Sequence, residues 1–508
     1  MWITLLLLCY VHVQLAVEIT ADSVTCPTNC SCSGSSLARV LVIDCQGNQD
    51  VDPGELSDQI DPMILFSDPW MSLTIVNSSL THVPPSICRL TTLIALFLDN
   101  NQLTRLPDNC LTNLSNLADF GVSNNEIEAV HDGVFDGLTR LRSLDLSKNR
   151  ISSIGSYVFA PSSKLSRNQD IDPGELSDQI DSMLSSDQRY EPWLLLKIVS
   201  SSLTNVSDSL CRLKTLTELR LDNNQLTRLP DNCFTNMPNL VRFSATDNAI
   251  TTLQDGVFGE ITKVPYLDFS RNRINAIDAS TFSKLSNLIT LRFSNNRLTR
   301  LPHDLLSNLS NLLWLWANDN KIEILQDGVF DELTKLQHLL LHRNKINAIG
   351  SSVFSQLSNL QFLTLDNNRL PRLPDNCITN LSKLIYFNAS DNVIETVQDG
   401  VFDRLTQLQH LDLSNNRINA IGLSVFATLS NLQGLYLNNN LLTQLPREWL
   451  MSLSGLQVFT TRNNTRKIAE WSVQWSHTSE RVRPQRKQNQ FYWFVGICKV
   501  TLFALSES

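Results

Sequence analysis

The stretch that decides the fold is Leu93-Ile94-Ala95-Leu96-Phe97-Leu98-Asp99-Asn100-Asn101-Gln102-Leu103, which reads L-x-x-L-x-L-x-x-N-x-L. The same pattern returns at 24-residue steps with Asn125 and Asn149, then from Asn224 through Asn248, Asn272, Asn296, Asn320, Asn344, Asn368, Asn392, Asn416 and Asn440, thirteen copies in all. A short unit repeated this often means a stacked architecture, because no single unit can bury its own apolar face. Alternation in Leu-x-Leu is a strand signal. It points the leucines inward and the intervening residues to solvent, and parallel strands stacked about 4.8 Å apart then bury the leucines as one continuous core. The Asn stands where the chain turns out of the strand, with an amide suited to pairing backbone groups that the interior would otherwise leave unpaired. Later in each unit a second anchor recurs, as at Phe135, Phe159, Phe258, Phe282, Phe330, Phe354, Phe402 and Phe426, and fills the opposite side. The expected fold class is an α/β solenoid. Its parallel sheet lines the concave face, and loops, 3-10 turns or short helices line the convex face.

Two weaker copies, Leu73, Ile75, Ser78, Leu80 and Leu196, Ile198, Ser201, Leu203, place Ser where Asn is expected and read as first repeats after a boundary; a remnant at Leu456, Phe459, Asn464 closes the series. With 508 residues, 42% of them hydrophobic and 18% charged, the chain is too apolar for wholesale disorder. Its net charge of −9 offers no basic footprint for a phosphate backbone, so nucleic acid is not an expected partner.

The N-terminus carries Leu5 to Leu8 within an apolar run to Val13, the short hydrophobic region of a secretory signal over residues 1–20. Such a chain meets an oxidising compartment, where the crowded Cys26, Cys30, Cys32 and Cys45 form disulfides rather than a metal site. Their spacing alone leaves all three connectivities open. Cys88 and Cys110 lie one repeat apart, as do Cys211 and Cys233, which puts each pair within disulfide range, with buried thiols as the alternative.

The repeat, together with Cys26-Pro27-Thr28-Asn29-Cys30-Ser31-Cys32 and Cys45, resembles the extracellular leucine-rich-repeat proteins of animals and their cysteine-rich N-terminal cap. That group includes matrix proteins, axon-guidance factors, Toll-like receptor ectodomains and the variable lymphocyte receptors of jawless vertebrates. The resemblance implies a leucine-rich-repeat horseshoe and, in the cap, bonds from Cys26 to Cys32 and from Cys30 to Cys45.

Organisation follows from the breaks in the period. Residues 26–69 form the cap and adjoining segment, 70–159 a first arc of repeats, and 193–465 a second arc. Between them, residues 160–192 contain NQDIDPGELSDQID at 168–181, a near copy of NQDVDPGELSDQID at 48–61, so a block has been duplicated. The interruption is either a loop extruded from one solenoid or a break between two arcs. Residues 466–508 are an atypical tail without a cysteine-rich cap, expected to leave the last strand edge open, and point to a truncated or altered C-terminus. The apolar stretch from Phe491 to Leu505 is interrupted by Lys499 and is shorter than the about 20 residues a membrane span needs, so no span is expected.

Function is sought on the concave face. Its first outward column reads Trp314, His338, Phe362, Tyr386 and His410, and the next contributes Trp316, Leu340 and Tyr436 with His342 beside them. Elsewhere the same columns hold Asp145, Glu218, Arg220, Arg242, Asp268 and Arg292, an ordinary polar mixture. Aromatic rings are favoured binding anchors, so this sector is the expected ligand surface, with mutual packing or contact with a second copy, a homodimer, as the alternatives. Sequons at Asn77, Asn113, Asn205, Asn308, Asn380, Asn388 and Asn463 are expected to carry sugar in part, and a glycan on Asn388 would stand inside the patch.

Catalytic residues, a metal and a cofactor are not expected. The histidines His338 and His342 fall about 13 Å apart along a strand, and His338 and His410 about 14 Å apart across three repeats, far beyond shared coordination. No Gly-rich phosphate loop, nucleophile elbow or H-E-x-x-H occurs. The chain reads as a secreted, non-enzymatic recognition protein for protein or glycan ligands, innate-immune or adhesion receptor-like, with an extracellular-matrix organiser as the alternative.

Overall fold

The computed structural model describes residues 26–27, 30–35, 39–45, 58, 71–107, 110–159, 194–259, 261–375, 377–446, 448–449 and 453–464, and the backbone of 471–474, 492–495, 498–501 and 503–504. The expected signal at 1–20, the interruption at 160–192 and most of the tail lie outside the described residues. Two compact units divide the chain, residues 1–225 and 226–508.

In the first unit, an antiparallel hairpin of Ser31–Ser35 on Val40–Asp44 opens the sheet. Val40–Asp44 then pairs in parallel with Ser72–Val76, and the series continues through Ala95–Phe97, Asp119–Gly121 and Ser143–Asp145. The next neighbour of Ser143–Asp145 is Leu195–Lys197, in register Ser143 to Leu195, and that strand pairs onward with Glu218–Arg220. Stacking therefore continues across the interruption as between any adjacent repeats. Lys197 Nζ reaches Asp145 Oδ2 at 3.4 Å, and Ser209 Oγ donates to the Gly155 carbonyl at 2.9 Å.

Disulfides join Cys26 to Cys32 and Cys30 to Cys45 in the hairpin, with Cα separations of 5.8 and 4.0 Å. A third joins Cys88 to Cys110 across one repeat, at a Cα separation of 4.8 Å. Cys211 and Cys233 are each disulfide-bonded as well.

The second unit is the same device at full length. Strands at Arg242–Ser244, Tyr266–Asp268, Thr290–Arg292, Trp314–Trp316, His338–Leu340, Phe362–Thr364, Tyr386–Asn388, His410–Asp412, Gly434–Tyr436 and Val458–Thr460 pair in parallel, each one repeat from the next. The edge of the last is not open, as the sequence suggested. Trp471–Gln474 pairs antiparallel with Val458–Thr460, so the ladder is continued by a strand outside the repeat.

The ladder asparagines satisfy the turn. Asn320 donates to the carbonyl of Phe293 in the preceding repeat at 3.0 Å and to Ala317 in its own at 3.2 Å, while its Oδ1 accepts from the Leu298 amide at 3.0 Å. Asn125, Asn149, Asn272, Asn296, Asn344, Asn368, Asn392, Asn416 and Asn440 likewise donate one repeat back. The residue just before each ladder Asn takes a left-handed conformation, with φ of 58° at Asn100, 54° at Asp319 and 55° at Asn439. Asn and Asp recur there because they tolerate that region best among non-glycine residues.

Opposite the sheet, 3-10 turns at Pro85–Arg89, Leu111–Asn113, Cys233–Asn236 and His303–Leu306 and a helical turn at Asp208–Cys211 complete the repeats. The phenylalanines form a stacked spine there: Phe330 on Phe354 at 6.0 Å and Phe402 on Phe426 at 6.4 Å between ring centroids. Trp449 closes that spine. Its ring stands edge-on to Phe426 at 5.4 Å, and its Nε1 donates to the Gly422 carbonyl at 3.1 Å.

Candidate binding face

Strand alternation sets the face. The middle residues Leu315, Leu339, Leu363, Phe387, Leu411 and Leu435 are fully buried, so the residues on either side of each point to solvent. Register then converts the repeat into columns. Trp314, His338, Phe362, Tyr386 and His410 stand directly opposite one another on successive strands.

These side chains form one run of touching rings. Centroids lie 6.1 Å apart for Trp314 and His338, 4.5 Å for His338 and Phe362, 6.1 Å for Phe362 and Tyr386, and 6.3 Å for Tyr386 and His410. His338 and Phe362 are nearly coplanar in orientation, 6° apart. Rings fixed on a sheet at strand spacing present a preorganised apolar surface that loses little conformational freedom on binding. Trp314 remains 36% exposed.

The column ends at Gly434, where the ring of Tyr436 leans over the missing side chain. A Cβ at Gly434 would sit 2.9 Å from His410 Nδ1 and 3.1 Å from Tyr436 Cε2. Trp316, Leu340, Asp412 and Tyr436 lie in the second column, with Thr364 and Asn388 between. His342 stays outside the ring run: its Nδ1 is 3.0 Å from Thr364 Oγ1 and its Nε2 4.0 Å from Asp319 Oδ2.

Sequence reasoning missed the other end of the strip. Tyr266 occupies the same column as Trp314 two repeats earlier, and two arginines classed as ordinary surface pack on its ring. Arg242 lies 5.2 Å and Arg292 5.3 Å from the Tyr266 centroid, and Arg292 also lies 3.8 Å from the Trp316 ring. Tyr266 donates to Asp268 Oδ2 at 2.9 Å, and Arg292 approaches the same carboxylate at 3.7 Å. The signal was present in the column itself, which begins at Tyr266 rather than Trp314.

Charge divides the strip. Burial holds His338 below the ordinary imidazole value, so its ring is neutral at pH 7. Burial, with Asp268 beside it, pushes the Tyr266 hydroxyl up to about 12, which keeps it a donor. Burial, then Asp412 and Asp366, raise Tyr386. Asp412 is itself raised by burial, against bonds from the Ser414 amide and hydroxyl at 2.9 and 2.6 Å, with Asp366 and Asp391 adding repulsion.

The corresponding face of the first unit is different. Its first column holds Ala95, Asp119, Ser143, Leu195 and Glu218, and its second Phe97, Gly121, Asp145, Lys197 and Arg220. No run of rings forms there among the described residues.

Sequon positions separate in the same way. Asn113, Asn205, Asn308, Asn380 and Asn463 are exposed, Asn77 is half-buried with its amide on Asp44 Oδ1, and Asn388 lies half-buried within the strip. Among the described residues, no group of three or more His, Cys, Asp or Glu is placed to hold a metal ion, and no helix is long and apolar enough to cross a membrane.

The sequence pattern of the leucine rich repeat family matches residues 115–167, 214–274, 262–322, 318–370, 363–418 and 408–465. The chain belongs to the leucine-rich-repeat family. Among solved structures it is similar to the leucine-rich-repeat protein LIC12759 of Leptospira interrogans, at TM-score 0.55 and 24% identity over 80% of this chain and 86% of that one. It is also similar to the Toll–Spatzle complex structure from Drosophila, at TM-score 0.66 and 18% identity over 84% of this chain and 58% of that one. These likenesses concern the fold. A search among curated protein sequences finds no match.

Proposed function

We propose that the chain is an extracellular recognition protein, without catalytic activity, that binds a protein ligand across the strip from Tyr266 to Tyr436. The observation that carries this reading is the unbroken ring contact from Trp314 to His410 on a rigid sheet. Soluble proteins seldom leave contiguous aromatic surface uncovered, and Trp and Tyr anchors dominate binding energies. Secretion is supported by the disulfides of the first unit and by the leader-like residues 1–20, and it makes the exposed sequons acceptors for sugar. An innate-immune or adhesion receptor-like role fits such a scaffold.

The test pans a phage-displayed random peptide library, and in parallel a glycan array, against the intact chain and against Trp314→Ser/Trp316→Ser/Tyr386→Ser. Hot-spot rings contribute about 2 kcal/mol or more each, so selected peptides should weaken at least about a hundredfold on the variant, with the thermal midpoint little changed. Retained affinity removes the reading. Glycan binders lost on the variant would replace the protein ligand with a sugar, whereas sedimentation as a dimer that the variant abolishes would replace it with a second copy. Copurification with insoluble matrix, insensitive to the variant, would favour the matrix-organising alternative.

A further inference from the structure

The two ends of the strip are built from equivalent positions, yet only one is electrostatically complete. At the N-terminal end, Asp268 and the ring of Tyr266 receive a cation from the neighbouring strand. Arg292 lies 3.7 Å from the carboxylate and 5.3 Å from the ring centroid, and it contacts Trp316 as well. Six repeats on, the positions of Tyr266, Asp268 and Arg292 are taken by His410, Asp412 and Tyr436. The carboxylate and the rings are kept, but a ring replaces the arginine.

What surrounds Asp412 sharpens the contrast. Tyr386 and His410 are in ring contact at 6.3 Å on one side, and Tyr436 leans across Gly434 toward His410 on the other. Among the described residues the Asp412 carboxylate accepts hydrogen bonds from Ser414 alone, and neither it nor Asp366 nor Asp391 makes an ion pair with Lys or Arg. Burial raises Asp412, and repulsion from Asp366 and Asp391 adds to it. A half-buried carboxylate walled by aromatic rings is the environment that a guanidinium or ammonium group satisfies, through a charge-assisted bond and ring-face attraction together.

We propose that Asp412, Tyr386, His410 and Tyr436 form a receptor for one cationic side chain, an Arg or Lys of the protein ligand, which does there what Arg292 does at the other end. This assignment rests on the strip being the binding face, and it adds the chemistry of the partner. Trp314 and Trp316 anchor the partner elsewhere along the strip, so the two ideas separate experimentally.

Peptides selected on the intact chain from the random library are sequenced and their affinities measured against three variants. The selected set should be enriched in Arg and Lys. Asp412→Asn should weaken such peptides about ten- to thirtyfold without lowering the thermal midpoint, because it also relieves repulsion. Tyr436→Arg, which supplies the pocket with its own guanidinium, should weaken them at least tenfold. Free N-acetyl-arginine amide should compete, whereas the citrulline analogue, isosteric and neutral, should not. Peptides lost on Trp314→Ser/Trp316→Ser but showing no basic enrichment, or indifferent to Asp412→Asn and Tyr436→Arg, overturn the cation receptor and leave the face standing. Peptides indifferent to all three variants, or no selected peptide at all, overturn both.

Discussion

Replacing Asn320 by Ala removes the side chain that ties the Trp314–Trp316 strand to the repeat before it. The amide of Leu298 loses its acceptor at 3.0 Å, and the carbonyls of Phe293 and Ala317 lose donors at 3.0 and 3.2 Å. The Phe293 and Ala317 carbonyls keep a second donor each, from Asn296 and Asn344 at 3.0 Å, so only the Leu298 amide is left unpaired. That amide costs about 1–3 kcal/mol and the two lost bonds about 1 kcal/mol each, less what a water admitted to the void recovers, so the expected loss is about 2–4 kcal/mol. In a stacked architecture this loss falls on the repeats that share the interface rather than on the whole chain, so a single unfolding free energy is the wrong readout. Hydrogen exchange by mass spectrometry is the right one. Amides from Thr290 to Leu298 and from Trp314 to Trp316 should exchange about thirtyfold faster or more, since each 1.4 kcal/mol is about tenfold. Asn318→Ala serves as the control. That side chain accepts from Ser294 Oγ and donates to Asp319 Oδ2, both at 2.6 Å near the surface, and its loss should cost about 1 kcal/mol. Equal effects from the two substitutions would refute the ladder as the element that holds adjacent repeats together.

Three further outcomes follow from named groups. Burial pushes the Cys377 thiol up to about 12, so peptide mapping after iodoacetamide at pH 8 should find it unmodified in the native chain and alkylated after denaturation; rapid native labelling would contradict its packing. Asp412 is raised in the folded state above the ordinary 3.8, so its protonated form is the one that folding favours. It contributes stability below that value that is lost as pH rises through the raised one, and thermal midpoints of the wild-type chain should fall relative to Asp412→Asn across that window; parallel curves would contradict the assignment. Glycopeptide mass spectrometry on chain secreted by animal cells should find sugar on exposed Asn113, Asn205 or Asn308 and none on Asn388, because a glycan in the Tyr386–Asn388 strand would cover the strip.

Much of the architecture is legible because the repeat itself is a physical statement. Leu315 and its equivalents are buried and Asn320 is bonded as its position requires, since period and burial are two views of one stacking rule. The bond from Cys88 to Cys110 follows from the same register. Features off the period were invisible. Trp449 falls one position short of the frame set by Phe426, so its closure of the phenylalanine spine has no periodic signal. Trp471–Gln474 covers the sheet edge in the antiparallel sense, outside any repeat. Arg292 looked like one polar residue among many because its role depends on where its guanidinium comes to rest, between the rings of Tyr266 and Trp316, and adjacency of that kind is settled by packing rather than spacing.

The most direct measurement is hydroxyl-radical footprinting of the intact chain with and without a peptide selected on it, read residue by residue at the aromatic side chains. Protection concentrated at Trp314, Trp316, Phe362, Tyr386 and Tyr436, with Phe97 and Tyr157 unchanged, is the result expected of a binding strip. Protection at Phe97 or Tyr157 while those five stay as reactive as in the free chain would contradict it.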